Sequence, residues 1–491
     1  MATENRKQQL HVFFFPFLGH GHTIPTVDMA KLFASRGVRA TIITTPLNLP
    51  LISRSLQEST ALGLPINLIP IKFPCAEAGL PEGCENVDAI TSPDMFPIFF
   101  KATTMLQEPL EQLLQEHHPD CLIAGWIFPW ATDSAAKFGI PRIVFNGSGF
   151  FPLCVGNSIA LHQPYKDVVP DSDPFVIPNL PGIEIQMTRM VLSPYIVNNE
   201  DNVIARLSKA AAQSEVTSFG VVVNSFYELE GIYADHYKKV LGRRAWSIGP
   251  VSLCNRDIKE KSHRGKQSSM DARDCLKWLD SKKPNSVVYI CFGSYSDFTI
   301  HQLREIAMGL EASGQNFIWV ARESKKTKKE QGGDIDEDQG WLPEGFEKRM
   351  EGKGLIIRGW APQVLILEHE SVGGFVTHCG WNSTLEGVSA GVPMATWPLC
   401  AEQFYNERLV TQVLRIGVSV GSKKWIPVVG DYVEKVAIMK AVKEIMEGEE
   451  AEEMRNRAKE LARMAREAVE EGGSSYSDFN SLIEELVGLS N

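Results

Sequence analysis

The sequence predicts an α/β fold built from two doubly wound halves facing a cleft. Two observations carry this. Short β-rich runs alternate with helical patterns along the chain, and the alternation runs twice, on either side of a seam near Gly249-Pro250. Continuous apolar strands set between helices belong to parallel sheets covered on both faces. A chain of 491 residues is also too long for one core, so two domains of roughly 200 to 250 residues are expected.

In chain order, residues 12–15 read as the first strand, followed by a helix over 26–35 and a strand over 39–44. After the seam, the polar stretch 255–273 reads as a mobile interdomain linker. Strands are then predicted over 287–291, 317–321, 355–357 and 374–377. Segment 323–339 mixes both charge signs and reads as a solvated surface loop. A charged helix over 447–471 and an amphipathic helix over 474–489 end the chain.

Composition excludes several classes. A hydrophobic share of 44%, a charged share of 22% and a net charge of −11 describe a globular protein without the basic surface that nucleic acid or an anionic membrane favours. Nine scattered cysteines without a CxxC spacing suit reduced thiols. The apolar stretch 10–18 is broken by His11 and Pro16, too short for a signal peptide or membrane span. A monomeric cytoplasmic protein is expected.

Residues 360–403, WAPQVLILEHESVGGFVTHCGWNSTLEGVSAGVPMATWPLCAEQ, carry the most chemistry. A Trp able to stack on a flat ring precedes a strand, a turn of phosphate size, a helix and a polar pair. The turn 378–383 brings backbone N–H groups and a positive helix end to the carboxyl edge of a parallel sheet, where anions bind. Gly380 permits close approach, and His378, Asn382 and Ser383 donate hydrogen bonds. Ser383 to Glu386 also fits a capping box, with Gly391 and Pro393 ending the helix. The plainer reading is an ordinary capped turn with Glu386 as its N3 residue. Trp360 and the hydroxyl-binding pair Glu402-Gln403 weigh against it.

The loop 18–22 after the first strand leads into a helix with Pro25 in its first turn. Its glycines lack the third member of a dinucleotide fingerprint. His20 and His22 have no carboxylate or cysteine cluster beside them, so no metal is expected. A general base remains, a role that suits a neutral imidazole.

The 44 residues of segment 360–403 match the signature box of the plant family-1 UDP-dependent glycosyltransferases. The resemblance extends from HVFFFPFLGHGHTIPTVDMAKLF to GGSSYSDFNSLIEEL, and looks nearest to the subgroup acting on phenolics, flavonoids and triterpenoids. It implies a GT-B fold: an acceptor-binding domain over 1–250, a UDP-sugar-binding domain over 251–470, and a final helix in 471–491 packing back on the first domain. It implies that Trp360 stacks on uracil and that the Ala361 backbone pairs with its edge. Gln363 and Glu386 would hold the ribose, and His378, Asn382, Ser383 and Ser294 the diphosphate. Trp381, Glu402 and Gln403 would position the sugar, the Gln leaning toward glucose. The family's catalytic His precedes two residues and a Pro, which is His22, with His20 lining the loop.

One departure stands out. The family's Asp that orients this His falls on Gly125, within CLIAGWIFPWATD. An imidazolium without that partner is less stabilised. An acidic phenolic acceptor needs less help from the base. Asp133 is a candidate substitute acid, with helix capping as its alternative role. Trp126 and Phe150 are candidate acceptor-wall residues, although aromatic segments are more often core. The expected activity is inverting transfer of glucose from UDP-glucose to a phenolic or flavonoid hydroxyl. A triterpenoid or other aliphatic alcohol, or another UDP-sugar, is the alternative within the class. A UDP-sugar-binding protein without catalysis and a nicotinamide oxidoreductase are the alternatives outside it.

Overall fold

A computed structural model describes residues 9–90, 92, 94–198, 202–321 and 340–489 of the chain. Residues 1–8 and the charged segment 323–339 lie outside the described residues.

The first half is a seven-stranded parallel sheet. It contains β1 (His11–Phe15), β2 (Arg39–Thr44), β3 (Ile66–Pro70), β4 (Cys121–Gly125) and β5 (Arg142–Phe145). A small antiparallel pair, β6 (Pro174–Val176) and β7 (Gln186–Thr188), precedes the last two sheet strands, β8 (Gly220–Val223) and β9 (Ala245–Ser247). The sheet order is β3-β2-β1-β4-β5-β8-β9. Every residue of HVFFF in β1 is buried, as a strand with both faces covered requires.

The second half is a six-stranded parallel sheet of β10 (Val287–Cys291), β11 (Asn316–Ala321), β12 (Gly354–Arg358), β13 (Val372–Thr377), β14 (Met394–Thr396) and β15 (Gly417–Ser419), in the order β12-β11-β10-β13-β14-β15. The order in which strands are added reverses in each sheet, between β1 and β4 and between β10 and β13. Ligands of open α/β sheets bind outside the carboxyl ends of the strands at such switch points. The helix turn bearing His22 follows β1 and Gly125 ends β4; Ser294 follows β10 and His378 follows β13.

Three local expectations need correction. The first helix runs His20–Ser35, beginning six residues earlier than the hydropathy pattern indicates, so Pro25 lies inside it and His22 in its first turn. The helix after β13 is Trp381–Ala390 with Gly380 as N-cap and no side-chain cap, so Ser383 and Glu386 form no capping box; the turn's own glycine starts the helix and frees both side chains. The linker is anchored: it holds a capped helix, Ile258–His263, and returns to the second half through Ser268 Oγ and Ser269 N–H, which donate to the Trp360 carbonyl at 3.0 and 3.1 Å.

The terminal helix Ser474–Leu489 places Phe479, Leu482 and Leu486 in the core beside β1 and β2, with the Phe33 and Phe479 rings 4.8 Å apart. The nine cysteines are free, and no helix among the described residues is long and apolar enough to cross a membrane.

Candidate active site

A proline prepares the contact between the halves. In an α-helix the N–H of residue 25 would bond the carbonyl of residue 21, and Pro25 has no N–H. The Gly21 carbonyl is thereby released, and Asn382 Nδ2 donates to it across the cleft at 2.6 Å. The first turn of the His22 helix thus meets the first turn of the Trp381–Ala390 helix. Trp381 adds a second tie, its indole Nε1 donating to the Asn224 carbonyl at 2.8 Å while its ring lies against Gly149. Glu230 fixes that surface by accepting from the Phe150 and Phe151 N–H groups at 3.2 and 2.7 Å.

His22 is half-buried between Phe17 and Phe145, with ring centroids 5.4 and 6.4 Å away. Its Nδ1 is sealed from solvent and has no hydrogen-bond partner among the described residues. Enclosure lowers its pKa to about 4, because imidazolium loses hydration there and gains no compensating charge. Asp133 is exposed on the Ala131–Ala136 helix and caps nothing; the structure does not bring it to His22. Trp126 is half-buried at the end of β4, its N–H donating to the Phe145 carbonyl at 3.1 Å. Phe150 is not a wall residue. It belongs to the core, its ring 5.6 Å from Tyr237, because the helix it starts turns that side inward.

In the second half, Gln363 sits at the centre of a polar array. It accepts from the Tyr289 hydroxyl at 3.3 Å and donates to Ser383 Oγ at 3.0 Å and to Glu386 Oε2 at 2.7 Å. Half-buried Trp360 and buried Ala361 precede it on the chain. His378 lies between Gly293 and Gly380; a Cβ on either would come within 2.7 Å of its ring. Enclosure holds its pKa at about 4, because imidazolium loses hydration there. Ser294 Oγ donates to Asp88 Oδ1 at 3.3 Å, across the cleft. Burial raises the Glu402 pKa, opposed by hydrogen bonds from its own N–H and that of Trp381. Gln403 Oε1 accepts from the Leu399 and Cys400 N–H groups at 2.9 and 3.1 Å, which fixes its amide in place.

Two residues escaped the sequence reading. Arg264, from the linker, pairs with both Asp28 and Glu386. Asp88, from the loop after β3, pairs with His20 and lies 3.5 Å from Lys266 Nζ. Both sit in polar stretches whose composition resembles solvated loop. A cavity of about 510 Å³ opens beside them, lined by His20, Arg54, Asp88, Gly265 and Lys266 among others. Among the described residues no group of three His, Cys, Asp or Glu side chains could hold a metal ion.

Two parallel doubly wound halves, with an unpartnered imidazole on one and a phosphate-sized turn on the other, define a GT-B glycosyltransferase. Residues 211–458 match the family model described as UDP-glucoronosyl and UDP-glucosyl transferase. The chain is 59% identical to a scopoletin glucosyltransferase of Nicotiana tabacum, over 97% of this chain and 98% of that one. It is 56% identical to UDP-glucose flavonoid 3-O-glucosyltransferase 7 of Fragaria ananassa, over 100% and 99%. Among solved structures, Glycyrrhiza uralensis UGT73P12 complexed with glycyrrhetinic acid 3-O-monoglucuronide superposes with a TM-score of 0.89 at 41% identity, covering 98% of this chain and 96% of that one. Medicago truncatula UGT71G1 complexed with UDP-glucose gives 0.79 at 27% identity, covering 98% and 99%. The chain belongs to the plant UDP-glycosyltransferases and is an enzyme of that family.

Proposed function

We propose that the enzyme transfers glucose from UDP-glucose, with inversion, to a phenolic hydroxyl of a flat aromatic acceptor. Residues 1–250 hold the acceptor and 251–470 the donor. Trp360 and Ala361 take the uracil, and Gln363 and Glu386 the ribose. Ser294, His378, Gly380, Asn382 and Ser383 take the diphosphate, and Trp381, Glu402 and Gln403 the sugar. His22 removes the acceptor proton as the acceptor oxygen bonds to the anomeric carbon. The bond from that carbon to the diphosphate oxygen breaks, and UDP leaves with the electron pair. No metal takes part in this reading.

The observation that carries it is the Gly21–Asn382 contact, which joins the turn bearing His22 to the turn assigned to the diphosphate. A flat acceptor is favoured by a row of rings leading to the base. Tyr295 from the second half meets Phe96 at 5.9 Å, Phe96 meets Phe100 at 6.4 Å, Phe100 meets Phe17 at 6.3 Å, and Phe17 meets His22 at 5.4 Å. The names of the tobacco and strawberry relatives point the same way. A triterpenoid acceptor is the second reading, favoured by the likeness to the Glycyrrhiza structure.

Incubating the purified enzyme with UDP-glucose and matched coumarin, flavonol and triterpenoid acceptors tests the choice. Glucosides of the first two, lost in His22→Ala, are expected. Turnover of the triterpenoid alone would reverse the assignment, and UDP binding without any transfer would leave only a binding protein.

A further inference from the structure

The guanidinium of Arg264 lies between two buried carboxylates from opposite halves. Its Nε donates to Asp28 Oδ2 at 2.7 Å, and its Nη1 to Glu386 Oε1. The three side chains are only 9, 2 and 5% exposed, so solvent screens little of the attraction and each charge needs its partner. The array continues on both sides. Asn255 donates to Asp28 Oδ1 at 2.9 Å and accepts from Lys31 Nζ at 2.8 Å. Gln363 donates to the other oxygen of Glu386. Lys31 and Arg264 thus balance Asp28 and Glu386, two charges of each sign.

The placement of these residues gives the array its meaning. Asp28 is on the helix whose first turn carries His22, and Glu386 is on the helix that begins at Trp381. Those helices already meet where Asn382 reaches the Gly21 carbonyl. Asp28 lies seven residues further along, about 10 Å of helix rise. One contact leaves the helices free to rock about it; the second fixes their register. Gly265 lets the linker approach: its φ is +86°, and a Cβ there would come 2.3 Å from the Trp360 ring.

We propose that Arg264 is a positioning residue for the transfer. It holds Glu386 aimed at the nucleotide ribose, and it locks the helix of the base against the helix of the donor, so that His22 stands at a fixed distance from the reacting carbon. Carboxylate oxygens accept more than one hydrogen bond, so Glu386 keeps capacity for ribose hydroxyls while paired. The inference rests on the roles given above to His22 and Glu386.

Three variants test it: Arg264→Gln, Arg264→Lys and Asp28→Asn, with calorimetric UDP affinity measured beside kcat and KM for both substrates. Arg264→Gln is expected to weaken UDP binding about tenfold, as loss of one charged hydrogen bond does. It should also lower kcat on the order of 100-fold, as misplacing the reacting groups by an ångström does. Arg264→Lys keeps the charge and fold but not the two-armed geometry; it should restore most of the UDP affinity and little of kcat. Asp28→Asn leaves Glu386 paired, and should lower kcat with UDP affinity unchanged.

Tighter UDP binding in Arg264→Gln would overturn the inference, because the linker would then be an obstacle over the nucleotide site. A kcat in Arg264→Lys equal to that of the wild type would overturn it as well. Should Arg264→Gln fail to fold, the Lys and Asn variants still decide the matter. A wild-type enzyme that neither binds UDP nor transfers glucose would defeat the reading of the donor site itself. Normal wild-type activity with silent variants would defeat only the role of Arg264.

Discussion

Gly147 lies directly against the imidazole of His22: a Cβ built on Gly147 would come 2.6 Å from Nδ1. The glycine follows β5 with φ +71°, a conformation that costs an L residue about 1–2 kcal/mol. Gly147→Ala therefore strains the loop and pushes the ring out of place together. Transfer should fall on the order of 100-fold, the cost of about an ångström of misplacement, while the fold survives a loss of this size. Steady-state kinetics beside a melting curve would check this; kcat within twofold of wild type would show that His22 does not need its present position.

The same enclosure sets the pH dependence. With its pKa lowered to about 4 by loss of hydration, His22 stays neutral, and able to accept a proton, well below the ordinary imidazole range near 6.5. The acid limb of kcat/KM reports the base in the free enzyme, so this value should hold level from pH 7 to about pH 5.5 and fall only nearer 4. Stability follows the same sign. The unfolded chain binds the proton first, so the contribution of a neutral His22 is complete above its unfolded pKa and is lost as pH drops from about 6.5 toward 4. A kcat/KM profile already halved at pH 6.5 would count against His22 as an enclosed base.

Pro25 offers a test that leaves every site side chain in place. Pro25→Ala restores an N–H that can bond the Gly21 carbonyl within the helix, in competition with Asn382. The helix itself should gain stability. The cleft contact should weaken, raising KM for UDP-glucose by roughly threefold to tenfold, the worth of about one neutral hydrogen bond. Equal KM values with a higher melting temperature would mean that the freed carbonyl matters only to packing.

How much of this could be read from the sequence follows from where the contacts come from. Of the residues expected at the donor site, Gln363, Ser383 and Glu386 meet in one hydrogen-bonded array, and they were legible because a single short segment carries all three. Apolar runs marked β1, β2, β10, β11, β12 and β13, because a strand covered on both faces announces its own burial. Arg264 and Asp88 were invisible because their meaning depends on partners from another half, Glu386 for one and Ser294 for the other. The capping box was misread because Ser383 and Glu386 have the right spacing, while the helix begins at Gly380 and their side chains turn to Gln363 and Arg264. Phe150 looked like a pocket wall because an aromatic residue carries the same signal in a core.

The vacancy at position 125 supports the last prediction. Gly125→Asp should supply the carboxylate that the sealed Nδ1 of His22 lacks. An ideal Cβ there meets the Phe17 backbone nitrogen at 3.0 Å and the Phe128 ring at 3.7 Å, so Phe17 must give by a few tenths of an ångström. Phe17 also lies against His22, so position 125 and the base share a neighbour. A carboxylate on Nδ1 raises the imidazole pKa and stabilises the imidazolium formed as the acceptor loses its proton. Weakly acidic aliphatic alcohols should gain most, on the order of tenfold per pKa unit recovered, and phenols much less. The acid limb of kcat/KM should move upward with the rate. Arg142 sets the competing outcome: it is buried and donates to the Gly125 carbonyl at 2.9 Å, and it could capture the new carboxylate instead. Capture would lower both rates and leave the acid limb unmoved. If neither the rates nor the limb changed, the unpartnered Nδ1 would have no part in the choice of acceptor.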